Sequence, residues 1–153
     1  MLVELNDADA QGNSIDERIE LAGTYAFNSL SVHAGYVNSP AHEGLLGLAA
    51  SYRYSKFNFV GVYQNIEQAK GVDDTLINFA VDADLTQLNR VCLAVTTKQD
   101  GASADLDQVH ILLGGEHRFN EHFLAFVEFF SKSTDVAQAG DEAALASGFR
   151  FDF

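Results

Sequence analysis

Tryptophan is absent from this chain, and cysteine, proline and methionine occur once each. A lone Cys92 excludes an internal disulfide and any cysteine-based metal site. One proline against twelve glycines argues against Pro-rich linkers and suits strands better. Missing too is any apolar run near the roughly 20 residues that a membrane-spanning helix requires. Cations are scarce, with nine Lys and Arg against 22 Asp and Glu and a formal charge of −13. That balance excludes nucleic acid, because phosphate binding requires clustered Lys and Arg; it fits a surface that meets water or cations. Met1 opens onto LVELNDADA, with no basic n-region and no long apolar h-region, so no secretory signal is read here. Phosphate loops, dinucleotide glycines and nucleophile elbows are also missing, and LLGGEH matches none of them. No cofactor is expected.

What is present is alternation. Nearly half of the 153 residues are hydrophobic, including twelve Phe and five Tyr, and they recur with period two rather than 3.6. In RIELAGTYAFN, Ile19, Leu21, Gly23, Tyr25 and Phe27 alternate with Arg18, Glu20, Ala22, Thr24, Ala26 and Asn28. LSVHAGYV, GLLGLAASYRYS, FNFVGVYQ, TLINFAVDADL, RVCLAVTTK, QVHILLGGEHRF and HFLAFVEFFSK repeat the pattern. Val60, Val62, Leu124 and Phe126 interrupt it on the polar face. With a short first strand at Leu2–Asn6 and a last one at Ala143–Phe153, about ten strands are expected in one domain spanning residues 1–153.

The connections alternate as well. Tight ones are expected at Asn28-Ser29, Ser55-Lys56, Leu85–Asn89 and Phe119–His122, and between them come longer acidic segments such as EQAKGVDD, KQDGASADLD and KSTDVAQAGDEA. Short and long turns at opposite ends of antiparallel strands describe an up-and-down meander whose two rims face different surroundings.

Two barrels fit this alternation. A soluble up-and-down barrel would turn its apolar face inward and bind a small apolar ligand there. A transmembrane β-barrel turns the apolar face to lipid and the polar face to a water-filled lumen. Strands of about 9–11 residues suit a tilted membrane crossing and exceed the soluble mode of about 5–6. Aromatic residues gather beside the short turns, at Tyr25, Phe27, Tyr52, Tyr54, Phe57, Phe59, Phe119, Phe123 and Phe149 to Phe153, as an interfacial girdle would be written. The all-β transmembrane barrel is the better reading. It puts Arg18, Glu20, Arg53, Asp82, Asp84, Arg90, Lys98, His110, Glu116, Arg118, Glu128, Lys132 and Arg150 on the lumen wall. The plain alternative for each is a cross-strand ion pair that only stiffens the wall. Cys92 is expected on the same face as a small filler.

The ending GFRFDF, the alternating loops and the paired aromatics together resemble the C-terminal part of a Gram-negative porin. The resemblance spans the whole chain, but its sharp motif is the last half-dozen residues. It implies an outer-membrane pore for passive diffusion of ions and small hydrophilic solutes. It also implies that Phe149, Phe151 and Phe153 form the signal read by the barrel assembly machinery, and that three copies associate. Family members typically have sixteen strands, a signal peptide and a long third loop folded into the pore. The chain therefore reads as the last ten strands of such a barrel, and its outer-membrane location presupposes a signal peptide on a longer parent. Closure of the barrel would pair the last strand on both sides.

The acidic loops favour cations at the outer mouth and suggest contact with lipopolysaccharide through shared divalent ions. A barrel enzyme would need converging Asp, His and Ser; His33 and His42 beside Glu43 are the nearest approach, and no activity is expected. His117 and His122 bracket one tight turn, too few ligands for a structural zinc site.

Overall fold

The computed structural model describes residues 2–4, 18–39, 42–68, 72–102, 107–134 and 141–151. They form ten strands: β1 (Leu2–Glu4), β2 (Arg18–Phe27), β3 (Leu30–Ser39), β4 (His42–Tyr54), β5 (Phe57–Gln68), β6 (Val72–Asp84), β7 (Asn89–Gln99), β8 (Gln108–Asn120), β9 (Phe123–Thr134) and β10 (Glu142–Phe151). All join one sheet in chain order, each antiparallel to the next. Leu5, Asn6, Asp152 and Phe153, which the alternation assigns to the outermost strands, lie outside the described residues.

From β2 to β10 the strands run 10 to 13 residues. At roughly 3.3 Å per residue that is about 33–43 Å of extended chain. Tilted by the ~40° usual in membrane barrels, it spans an apolar band about 25 Å tall. The length is one that few soluble strands reach.

The short connections fall where the sequence puts them. Asn28 and Ser55 each open a two-residue turn with positive φ, 51° and 55°. Asn is among the side chains that tolerate this region, which explains its use at a hairpin tip. In the β6–β7 turn, Thr86 Oγ1 accepts hydrogen bonds from the backbone N–H of Leu88 (3.2 Å) and Asn89 (3.0 Å) and from Asn89 Nδ2 (2.8 Å). Successive hairpins are then tied along this rim. Arg53 N donates to Ser29 O (2.9 Å), Asp84 N to Lys56 O (3.0 Å), and Arg118 N to Leu88 O (2.7 Å).

The sheet has almost no interior. Among the described residues only Ala83 and Leu124 are buried hydrophobics. One expectation is corrected here: β10 pairs with β9 alone among the described residues, and β1 with β2 alone, so the sheet is open between its first and last strands.

Candidate functional site

Residues directly opposite in an antiparallel pair share a face, so the register sorts side chains into rows. One row runs Phe27, Leu30, Tyr52, Phe59, Val81, Leu93, Leu113, Phe129, Leu145. The next runs Tyr25, Val32, Ala50, Gly61, Phe79, Val95, Ile111. This face is apolar and exposed. Phe79 is 54 % accessible, Leu113 54 % and Leu145 74 %. Such a surface far exceeds the few hundred Å² of contiguous apolar area that soluble monomers usually show. The soluble barrel with apolar side chains inside is therefore overturned.

At the short-turn rim the apolar face ends in rings. Phe123 stacks on Phe119 (centroids 4.7 Å apart) and on Phe151 (4.6 Å), and lies 5.6 Å from Phe149. Phe149 and Phe151 thus stand on this face, both exposed; Phe153 lies outside the described residues.

The opposite face carries the charges. Glu20, Arg53, Asp82, Asp84, Arg90, Lys98, His110, Glu116, Arg118, Glu128, Lys132 and Arg150 all fall in its rows. Arg18 opens β2 opposite Glu4. Cys92 shares this face, half-buried opposite Gly114.

Pairing divides these residues. Arg90 holds Asp82 through its Nη2, with its Nε 4.0 Å from Asp84. Arg53 reaches the same Asp84 at 3.3 Å, and Asn58 donates to Asp82 at 3.5 Å. Lys98 lies 3.2 Å from Asp74 and 3.9 Å from Asp100. Glu20 and Arg150 are engaged as well. Among the described residues, the side chains of Glu116, Arg118, Glu128 and Lys132 make no ion pair or hydrogen bond.

The polar face is not polar throughout, a feature the alternation understates. One row reads Ser51, Val60, Ala80, Ala94, Leu112, Phe130, Ala144 and holds no charge. It separates the arginine-rich region near the short turns from Lys98, His110 and Lys132 toward the long loops. Large side chains here shelter among small or long ones. Phe126 fills the space opposite Gly148, where an added Cβ would come 2.9 Å from its ring. Leu124, 3 % exposed, lies between Arg118 and Arg150, whose alkyl stems can cover it. Val60, Leu112 and Phe130 stand on even positions, and that parity is the signal that finds this row.

The histidines have local partners. His33 Nδ1 lies 3.0 Å from Thr24 Oγ1, and His110 Nε2 lies 3.2 Å from Gln108 with Phe130 edge-on at 5.6 Å. His117 Nδ1 meets Asn89 Oδ1 at 2.8 Å, and His122 Nε2 is 3.5 Å from Glu121. The side chains of His42 and Glu43 lie outside the described residues. Among the described residues no three His, Cys, Asp or Glu gather as metal ligands.

Comparison with known proteins follows the same lines. The family described as Gram-negative porin matches residues 3–137. None of the curated proteins matches the sequence. Among solved structures, a porin refined at 1.8 Å resolution superposes with a TM-score of 0.72 at 16 % identity, over 93 % of this chain and 53 % of that one. The outer-membrane expressed OmpT of Vibrio cholerae gives 0.65 at 16 % identity, over 89 % and 56 %. A triple mutant of the Rh. blastica porin gives 0.64 at 19 % identity, over 89 % and 46 %. The chain thus spans about half the length of these proteins. With an all-β meander, an exposed apolar face and a family match over most of its length, the chain belongs to the Gram-negative porins of the outer membrane.

Proposed function

We propose that these ten strands are part of the wall of a water-filled pore through which ions and small hydrophilic solutes diffuse passively. The observation that carries this reading is the separation of faces: the lumen candidates share one side of the sheet, and the exposed large apolar strand residues share the other. Transport through such a wall depends on lumen width and on the field of the wall charges, not on bond-making chemistry. The open edges of β1 and β10 among the described residues, and relatives about twice as long, support a larger barrel of which this sheet is one part.

Arg18, Glu20, Arg53, Asp82, Asp84, Arg90, Lys98, His110, Glu116, Arg118, Glu128, Lys132 and Arg150 are the proposed lining. Cations are the preferred ions. The formal charge is −13, and Asp73, Asp107, Asp141 and Glu142 sit toward the long-loop rim, where they raise the local cation concentration. Outside the wall, the fitting partners are membrane lipid, lipopolysaccharide at the acidic loops, and two further copies of the chain. The barrel assembly machinery would engage the last strand through Phe149, Phe151 and Phe153.

Reversal potentials across planar bilayers holding the protein, under a KCl gradient, test the selectivity. A potential of the sign set by K⁺ supports cation preference, and one set by Cl⁻ contradicts it. Because this sheet is read as one part of a larger barrel, the measurement is made on the complete barrel that contains it, and failure of that barrel to conduct contradicts the pore itself.

A further inference from the structure

On the polar face, the β6–β7 turn and the ends of β7 and β8 enclose a pocket of about 190 Å³. Asp84, Arg90, Glu116, Arg118 and the turn residues Thr86 to Asn89 line it. Its volume falls below the roughly 300–1,000 Å³ of sites for drug-sized ligands, so it suits a solute of few heavy atoms. The frame is rigid. Thr86 Oγ1 fastens the turn from within, and Arg118 N ties Leu88 O to β8 at 2.7 Å.

Its charges are not equally available. Asp84 is shared between Arg53 and Arg90, and Arg90 is engaged chiefly by Asp82. Glu116 and Arg118 remain, one of each sign, with no ion pair or hydrogen bond to either side chain among the described residues, and with Glu116 directly opposite Arg90 in the register. They stand two residues apart on one strand face, so their Cα atoms are about 6.6 Å apart. A lone anion would find Arg118 beside Glu116 and Asp84, and a lone cation would find Glu116 beside Arg90 and Arg118. A solute bearing both signs on adjacent atoms meets a partner for each and leaves the balanced pocket balanced.

We infer that this pocket is a binding site for small zwitterions of the amino-acid type, with Arg118 taking the carboxylate and Glu116 the ammonium. Arg118 can offer two parallel N–H donors to a carboxylate, a geometry that lysine lacks. The site rests on the pore reading only in requiring this face to be wet. It would act as a way-station at the short-turn mouth of the lumen.

The test uses the full chain, ¹⁵N-labelled and folded in lipid nanodiscs, followed by the Nε–Hε resonance of Arg118. Glycine, acetate and methylammonium are titrated separately at constant ionic strength. Glycine is expected to shift the resonance along a saturating curve, with an apparent affinity at least fivefold above that of acetate, and methylammonium to leave it unmoved. Glu116→Gln is expected to bring glycine and acetate together. A glycine shift that never saturates overturns the site, as does acetate binding as tightly as glycine in the unaltered chain. No conductance enters this measurement. A conducting complete barrel with a non-saturating titration would overturn the site alone, and saturable binding with a complete barrel that fails to conduct would contradict the pore alone.

Discussion

Lys98 Nζ stands 3.2 Å from Asp74 Oδ2 on the polar face, and Asp74 is 5 % exposed. The carboxylate also accepts a hydrogen bond from Gly101 N at 3.2 Å, which ties the β7–β8 connection to β6. Removing the cation would leave a buried charge with less compensation. Breaking a fully buried pair typically costs about 3–5 kcal/mol. Lys98 is itself partly exposed, so the loss expected for Lys98→Met is smaller, about 1–3 kcal/mol. Lys132→Met removes a lysine that makes no ion pair among the described residues, and is expected to change stability by less than about 0.5 kcal/mol. Urea midpoints of the protein refolded in detergent compare the two.

Gly114 faces Cys92 across β7 and β8, and a Cβ built on it would come 2.6 Å from Cys92 Sγ. Gly114→Ala is therefore expected to overpack the wall and to cost about 1–3 kcal/mol. Cys92→Ala should be close to neutral alone and should recover most of the loss in the double variant. The coupling energy from the four urea midpoints checks it. Additive effects would mean that the clash is not with the sulfur.

The ring cluster at the short-turn rim permits a similar comparison. Phe123 touches three other rings, whereas Phe79 has no ring partner among the described residues. Each aromatic pair contributes about 0.5–1.5 kcal/mol beyond its buried area. Phe123→Ala should lower stability in lipid vesicles by about 1–3 kcal/mol more than Phe79→Ala does. Equal losses would reduce the cluster to four independent side chains.

Much of this was legible from the residues alone, for a physical reason. Period two is written wherever one face of a strand meets lipid, so TLINFAVDADL and RVCLAVTTK declared both their strands and their faces. Asp84 opposite Arg90 also follows from the sequence, because the short turn Leu85–Leu88 fixes their register. Arg53 with Asp84, or Lys98 with Asp74, does not follow as directly. Arg53 and Asp84 lie two strands apart, and Asp74 is diagonal to Lys98, so each contact depends on register and side-chain reach together. Of the charge-free row through Val60, Leu112 and Phe130, only Val60 stood out as an interruption of the alternation. The open edge of β10 was not legible either. Pattern describes each strand and its hairpin partner, while closure depends on strands far apart in the chain.

The whole account rests on which face of the sheet meets hydrocarbon, and a nitroxide scan of β7 in lipid vesicles measures that directly. Single labels at positions 91 to 96, in a Cys92→Ala background for all but position 92 itself, are compared for collision with oxygen and with a water-soluble nickel chelate. Oxygen contact should peak at Val91, Leu93 and Val95, with nickel contact peaking at Cys92, Ala94 and Thr96. The opposite phase, or no alternation at all, would contradict an apolar face turned toward lipid.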